Sequence, residues 1–146
     1  MDIYEQAVLD YCAAAPGRFI SPQCYIAFDE TPKSGWSMPD VVVLDFSRST
    51  IYVVEVTSAS VPADLLWRVT ERQRRWYDPL RASSTRMHEP FSRWNLRVTL
   101  FVREEICGTV STKFKDASDV SVISLDRVMF PWRWNWQNGM PDNPLE

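Results

Sequence analysis

Glycine is scarce in this chain of 146 residues, and its four glycines lie far apart. None of them belongs to a G-x-G-x-x-G or G-x-x-x-x-G-K-[ST] pattern, which excludes the glycine-rich loops that hold nucleotide phosphates. Long apolar runs are missing as well. Runs such as Val41 to Leu44 are far too short to span a bilayer, so we expect no membrane contact.

Cysteine is also rare. The three cysteines stand at positions 12, 24 and 107 and form no C-x-x-C pair, which argues against a disulfide framework and against a zinc knuckle. The first residues, Met1 to Glu5, are acidic and lack the pattern of a signal peptide. We therefore expect a protein of the reducing cytoplasm.

Apolar residues make up 45% of the chain, which is enough for one continuous core at this length. The hydrophobic pattern predicts a turn-rich loop over 31–37 and leaves a short helix or a hairpin open over 104–117. The predicted helices cover 2–14 and 62–82, and the predicted strands or extended segments cover 18–29, 38–46, 50–57, 95–103 and 120–125. This order indicates an α/β fold with a mixed central sheet flanked by helices, in one domain over 1–129 that is followed by a Trp-rich C-terminal tail over 130–146.

Positive charge is concentrated in one stretch of an acidic chain. The net charge is −3, yet residues 68–103 hold nine arginines and three acidic residues and carry +6, which leaves −9 for the remainder. Such a stretch favours a surface that binds phosphates whatever the overall sign of the charge. A solvated helix face with ion pairs along the helix is the alternative interpretation.

Two carboxylates interrupt strands that are otherwise apolar. Asp40 and Glu55 lie in predicted strands that are apolar at nearly every position, which is typical of strands covered on both faces. An unpaired buried carboxylate is costly, and two on neighbouring strands also repel each other. A divalent cation would relieve both problems, with the Val56 carbonyl as a neutral ligand; neutralisation by arginines is the alternative.

These residues resemble a known nuclease signature. Pro39-Asp40, followed fifteen residues later by Glu55-Val56-Thr57, resembles the motif of the PD-(D/E)XK nuclease superfamily. Gln73 and Tyr77 fit the Q-x-x-x-Y motif of its RecB-like branch. The predicted elements over 2–103 are similar in order to the αβββαβ core of that restriction-endonuclease-like fold.

The resemblance implies a hydrolase that cleaves DNA phosphodiester bonds with Mg²⁺ or Mn²⁺. It implies that Asp40, Glu55 and the Val56 carbonyl hold the metal and that Glu5, on the first helix, completes the site. It further implies that the helix face bearing Gln73 and Tyr77 looks towards the metal.

The family's lysine is replaced by Thr57, which can donate a hydrogen bond but carries no charge. Loss of one preorganised electrostatic group typically costs about 10²–10³ in rate. The chain is therefore either a nuclease with altered or reduced activity, or an inactive nuclease-fold protein that serves as a DNA-binding or assembly module. The candidates for a compensating cation are Lys33, Arg68, Arg72 and Arg75, and the predicted nucleic-acid contacts are Arg68, Arg72, Arg74, Arg75 and Lys33.

Trp132, Trp134 and Trp136 alternate with polar residues in the tail and would share one face if the tail were extended. Three interpretations stay open. The tail could cover the core of its own domain, dock a protein partner or a second copy of the chain, or stack against unpaired bases.

Overall fold

A mixed sheet forms the centre of the molecule. The computed structural model describes residues 1–29, 31–87, 89–130 and 144–146. The strands are β1 (Arg18–Pro22), β2 (Ile26–Ala27), β3 (Trp36–Ser37), β4 (Val41–Asp45), β5 (Thr50–Val56), β6 (Asn95–Val102) and β7 (Val120–Ser124). The α-helices are α1 (Ile3–Ala14), α2 (Ala63–Thr70), α3 (Asp78–Met87), α4 (Glu104–Lys113) and α5 (Leu125–Met129). A π-helical segment covers Gln73–Tyr77, and short 3₁₀ helices cover Pro32–Ser34 and Glu89–Arg93.

The main sheet has the strand order β1-β4-β5-β6-β7. β1, β4 and β5 are antiparallel neighbours, whereas β5, β6 and β7 run parallel. Parallel neighbours need a crossover connection. The helices α2 and α3 supply one between β5 and β6, and α4 supplies the next. The predicted α/β fold with a mixed sheet and flanking helices is confirmed. β2 and β3 pair separately as a two-stranded ribbon.

Each face of the sheet is covered by its own core. The α1-side core contains Val8, Tyr11, Cys12, Val41, Val43, Tyr52, Val54, Phe101, Ile123, Leu125, Val128 and Leu145. The α2-side core contains Ile26, Val42, Ile51, Val53, Leu65, Val69, Trp76, Tyr77, Val98, Leu100, Val102 and Val110. Because successive strand residues point to opposite faces, β4 and β5 need apolar residues at nearly every position.

Several predicted boundaries need correction. The loop predicted over 31–37 is wrong in part, because Trp36 and Ser37 pair with β2 and the buried indole Nε1 of Trp76 donates to Ser37 Oγ at 2.7 Å. The ambiguous stretch 104–117 contains α4. The predicted last strand ends one residue too late, because Leu125 is the first residue of α5.

The predicted helix over 62–82 is helical throughout most of its length but is not one regular α-helix. At its π-helical segment, the N–H of Asp78 donates to the carbonyl of Gln73, five residues earlier. Such a wider turn rotates the following side chains around the helix axis. The 3.6-residue period therefore does not predict which way side chains after Gln73 point.

Within the described ranges, none of the helices has both the length and the apolar character needed to cross a bilayer.

Candidate functional site

Asp40 and Glu55 face each other across two antiparallel strands. β4 and β5 pair Val41 with Val54, so the next pair in this register is Asp40 with Glu55. Their neighbours Val41 and Val54 belong to the α1-side core, and the alternation of the strands therefore directs both carboxylates to the opposite face, under α2. Glu55 is only 3% exposed and Asp40, which directly precedes β4, is half-buried.

The carboxyl group of Glu55 is strongly perturbed by its surroundings. Burial, the charge of Asp40 and a hydrogen bond to Asp40 together raise the pKa of Glu55 to about 8, although Arg68 acts in the opposite direction. Asp40 Oδ2 accepts the Val56 N–H at 2.7 Å. A cation bound at the pair would favour the charged form of Glu55.

Arg68 is the cation that the fold brings to the acid pair. Its Nε lies 3.4 Å from Glu55 Oε1, and its side chain is 32% exposed. Arg68 lies in α2, directly above the strand that carries Glu55. Of the four candidates for a compensating charge, this one contacts the predicted site.

Thr57 follows β5 and lines a cavity of about 330 Å³. The other lining residues include Val56, Ala59, Val61, Pro62 and Arg68. Thr57 Oγ1 accepts the Ala59 N–H at 3.1 Å, and its backbone N–H donates to Phe101. Because a hydroxyl that accepts one bond can still donate its own hydrogen, Thr57 can offer a donor to a ligand in this cavity.

The other predicted cations make their main contacts with residues outside the acid pair. Arg72 binds Asp119 through two hydrogen bonds, of 2.6 and 3.0 Å. Lys33 is exposed in the 3₁₀ turn that precedes β3. Arg74 and Arg75 lie against the ring of Phe28, with their guanidinium carbons 5.5 and 5.6 Å from its centroid.

Gln73 and Tyr77 are not brought to the acid pair. Gln73 Nε2 donates to Asp78 Oδ1 at 2.6 Å, and the Tyr77 hydroxyl donates to Asp119 Oδ2 at 2.6 Å. Both residues line a polar cavity of about 540 Å³ at the end of the sheet where the parallel strands begin, beside Thr50 and Asn95. The acid pair lies at the end where β5 finishes.

Sequence reasoning missed Asp119, which organises this second cavity. Hydrogen bonds from Arg72 and Tyr77 lower the pKa of Asp119 although burial acts in the opposite direction. The pKa of Tyr77 is raised above its usual range by burial and by Asp119. No motif surrounds Asp119 in the sequence, and only its position just before β7 indicates that it lies at a sheet edge.

Glu5 caps its own helix and is not brought to the acid pair. The Asp2 side chain accepts the Glu5 N–H at 2.8 Å and Glu5 Oε2 accepts the Asp2 N–H at 3.2 Å, which is a capping box. Trp132, Trp134 and Trp136 lie outside the described residues, so the interpretations of the tail stay predictions.

The donor set at the acid pair fits a hard divalent cation in part. Within the described residues, no group of three or more His, Cys, Asp or Glu side chains is arranged to hold a metal. Mg²⁺ is commonly held by one or two carboxylates, with water and substrate oxygens as its other ligands. Asp40, Glu55 and the Val56 carbonyl satisfy that smaller requirement, and the raised pKa of Glu55 indicates a lack of positive charge around its carboxyl group.

In comparisons with protein-family models, curated proteins and solved structures, the chain matched none of them.

Proposed function

We propose that the chain is a metal-dependent nuclease of the PD-(D/E)XK type that hydrolyses phosphodiester bonds of DNA. The observation that carries the proposal is the Asp40–Glu55 pair, in which a half-buried and a buried carboxyl group face each other across two strands and the pKa of Glu55 is raised. The sequence of elements from α1 to β6, with β4 and β5 next to each other in the sheet, supports the αβββαβ assignment.

The proposal gives each residue a role. Asp40, Glu55 and the Val56 carbonyl would hold Mg²⁺ or Mn²⁺. The bound ion would supply a Lewis acid for the phosphate and would lower the pKa of a water molecule. Thr57 would donate its hydroxyl hydrogen to an oxygen in the cavity and thereby orient it. Arg68 would supply the positive charge that the family's lysine provides, since it already lies beside Glu55.

A cleavage assay tests this function. Supercoiled plasmid and a labelled single strand are incubated with Mg²⁺, Mn²⁺ or EDTA. We expect Asp40→Asn and Glu55→Gln each to lower the metal-dependent rate by more than about a hundred-fold, because each removes a charge aimed at the reacting groups. Glu104→Gln is the matched control, since Glu104 is an exposed carboxylate in the first turn of α4. Unchanged cleavage in either acid-pair variant contradicts the mechanism.

A second candidate function is DNA binding or protein assembly without catalysis. It is favoured by Thr57 at the lysine position and by Arg68, which already neutralises part of the charge on Glu55. Calorimetry with Mg²⁺ and Mn²⁺ distinguishes the two candidates. Heat of binding that disappears in Glu55→Gln supports the nuclease. Absence of metal binding, together with intact DNA binding in EDTA, supports the second function.

A further inference from the structure

A row of alternating aromatic and cationic side chains lies beside the acid pair. The guanidinium carbon of Arg75 lies 5.2 Å from the ring centroid of Trp67 and 5.6 Å from that of Phe28. The guanidinium carbon of Arg74 lies 5.5 Å from the ring centroid of Phe28. The order is therefore Trp67, Arg75, Phe28, Arg74, and we call these four residues the aromatic–arginine surface.

Two separate segments of the chain contribute the side chains of this surface. Trp67 projects from α2, and Arg74 and Arg75 belong to the π-helical segment that follows it. Phe28 comes from the end of β2. Gly35 lies next to that ring with φ +98°, and a Cβ at this position would come within 3.1 Å of the ring. Glycine thus combines the backbone conformation and the space that Phe28 requires.

The surface has a positive charge that the described residues leave unmatched. Arg68 lies 3.4 Å from Glu55, and Arg74 lies 3.5 Å from Glu71. For Arg75, by contrast, the described part of the chain supplies no ion pair, and its buried Nε has no hydrogen-bond partner there. Burial and the neighbouring charges of Arg68 and Arg74 lower the pKa of Arg75, although Glu55 and Glu71 act in the opposite direction.

Trp67 offers an aromatic face for stacking. Its side chain is 53% exposed although it is a large apolar group. Arg75, which lies over the Trp67 ring, interacts with the charges of both Arg68 and Glu55, so the surface lies beside the acid pair. Bases of a duplex are stacked on each other, whereas an unpaired base can stack on an exposed indole while arginines hold the adjacent phosphates.

We propose that the aromatic–arginine surface binds single-stranded DNA and directs it to the acid pair, with a base stacked on Trp67 and a phosphate at Arg75. This proposal rests on the proposed nuclease function, because it specifies single-stranded DNA as the substrate. Its binding step needs no metal, so it can be tested separately.

The test measures binding of the full chain in EDTA, by fluorescence anisotropy, to a labelled 15-nucleotide thymine strand and to a duplex of equal length. We expect the single strand to bind at least ten-fold more tightly than the duplex. Trp67→Ala should weaken single-strand binding by about five-fold to a hundred-fold, the range for loss of one stacked base, and Trp67→Phe should keep most of it. Arg75→Gln should reduce the slope of log affinity against log salt by about 0.7, as for one lost phosphate contact.

Phe19→Ala is the matched control, because Phe19 is an equally exposed aromatic residue on the edge strand β1. Thermal unfolding of each variant, followed by circular dichroism, shows that the fold is kept. Equal affinity for the duplex, or equal binding by Trp67→Ala and Phe19→Ala, overturns the proposal. If single-strand binding is as expected but Asp40→Asn still cleaves, the nuclease mechanism fails and this surface does not.

Discussion

The two ends of the sheet under α2 and α3 differ in how well their carboxyl groups are stabilised. Where the parallel strands begin, Asp119 accepts hydrogen bonds from both Arg72 and Tyr77, and its pKa is lowered. Where β5 finishes, Glu55 is nearly inaccessible to water, faces Asp40 and has a pKa of about 8. One end is therefore a satisfied network, and the other holds two acidic groups that cannot both ionise at low cost.

This difference indicates which end stabilises the fold and which end is suited to chemistry. A carboxylate with full hydrogen bonds contributes stability, as Asp119 does. A pair of carboxyl groups with a strongly perturbed pKa destabilises the fold. Such pairs are typical of functional sites, because a bound substrate or metal can supply the interactions that the protein does not provide. We therefore propose the Glu55 end as the functional one, although the family motif would also have placed Tyr77 there.

The largest effect that we predict is a pH dependence of stability that arises at the Glu55 end of the sheet. In EDTA, the folded state keeps the Glu55 proton up to about pH 8, whereas the unfolded chain releases it near the ordinary value of 4.5. The folded state binds more protons between these values, so the free energy of unfolding contributed by Glu55 falls as the pH rises through the window. At about 1.4 kcal/mol per pH unit, the whole loss has an upper bound of about 5 kcal/mol.

Urea unfolding of the wild type and of Glu55→Gln, between pH 5 and pH 8, measures this contribution. Glutamine imitates the protonated carboxyl group, so the two proteins should be similar at pH 5, and the variant should be the more stable at pH 8. If the free energies of unfolding of the two proteins change with pH in parallel, Glu55 ionises normally. The two ends of the sheet would then not differ in the way described above.

A somewhat smaller effect is expected when the two arginines are compared. Arg68→Gln removes the cation beside Glu55 and should reduce metal-dependent cleavage by about 10²–10³, or about 3–4 kcal/mol of transition-state stabilisation. Arg68→Lys should restore part of the rate, because it restores the charge. Arg72→Gln should lower the stability and leave the rate of the folded protein close to that of the wild type. Equal losses of rate in both variants would contradict the assignment of Arg68.

Much of the fold could be predicted from the sequence. Continuous apolar segments identified β4 and β5, and the strict alternation in β6 identified the residues that face the α2-side core. The sequence also indicates Asp40 and Glu55 as candidate site residues, because a charge inside an apolar strand needs a partner. A short turn between two such strands favours antiparallel pairing. In the antiparallel register of β4 and β5, Asp40 lies opposite Glu55.

The parts that could not be predicted depend on contacts between distant segments. The resemblance implies that the helix face with Gln73 and Tyr77 looks towards the metal, but both residues lie at the other end of the sheet. The π-helical segment that contains them leaves no mark in the hydrophobic period, so the sequence did not predict this orientation. Asp119 is separated from Arg72 by 47 residues, and nothing local in the sequence links them. Glu5 fits both a metal ligand and a capping box, and only the structure shows that it caps α1.

The smallest expected effect comes from Tyr77→Phe, and it bears most directly on the comparison. The variant loses the hydrogen bond from the hydroxyl to Asp119 but keeps the ring in the α2-side core and leaves Arg72 on the same carboxylate. Because the acceptor is an ionised carboxylate, we expect a loss of about 1.5–3 kcal/mol in the free energy of unfolding at pH 7. Tyr25→Phe is the matched control, because the Tyr25 ring is exposed and stacked on Trp36, and its stability should be unchanged. Cleavage by folded Tyr77→Phe should equal that of the wild type, since the hydroxyl lies at the end of the sheet away from Glu55. A hundred-fold loss of cleavage with this small loss of stability would instead mean that the two ends act together in the reaction, as the Q-x-x-x-Y motif implies.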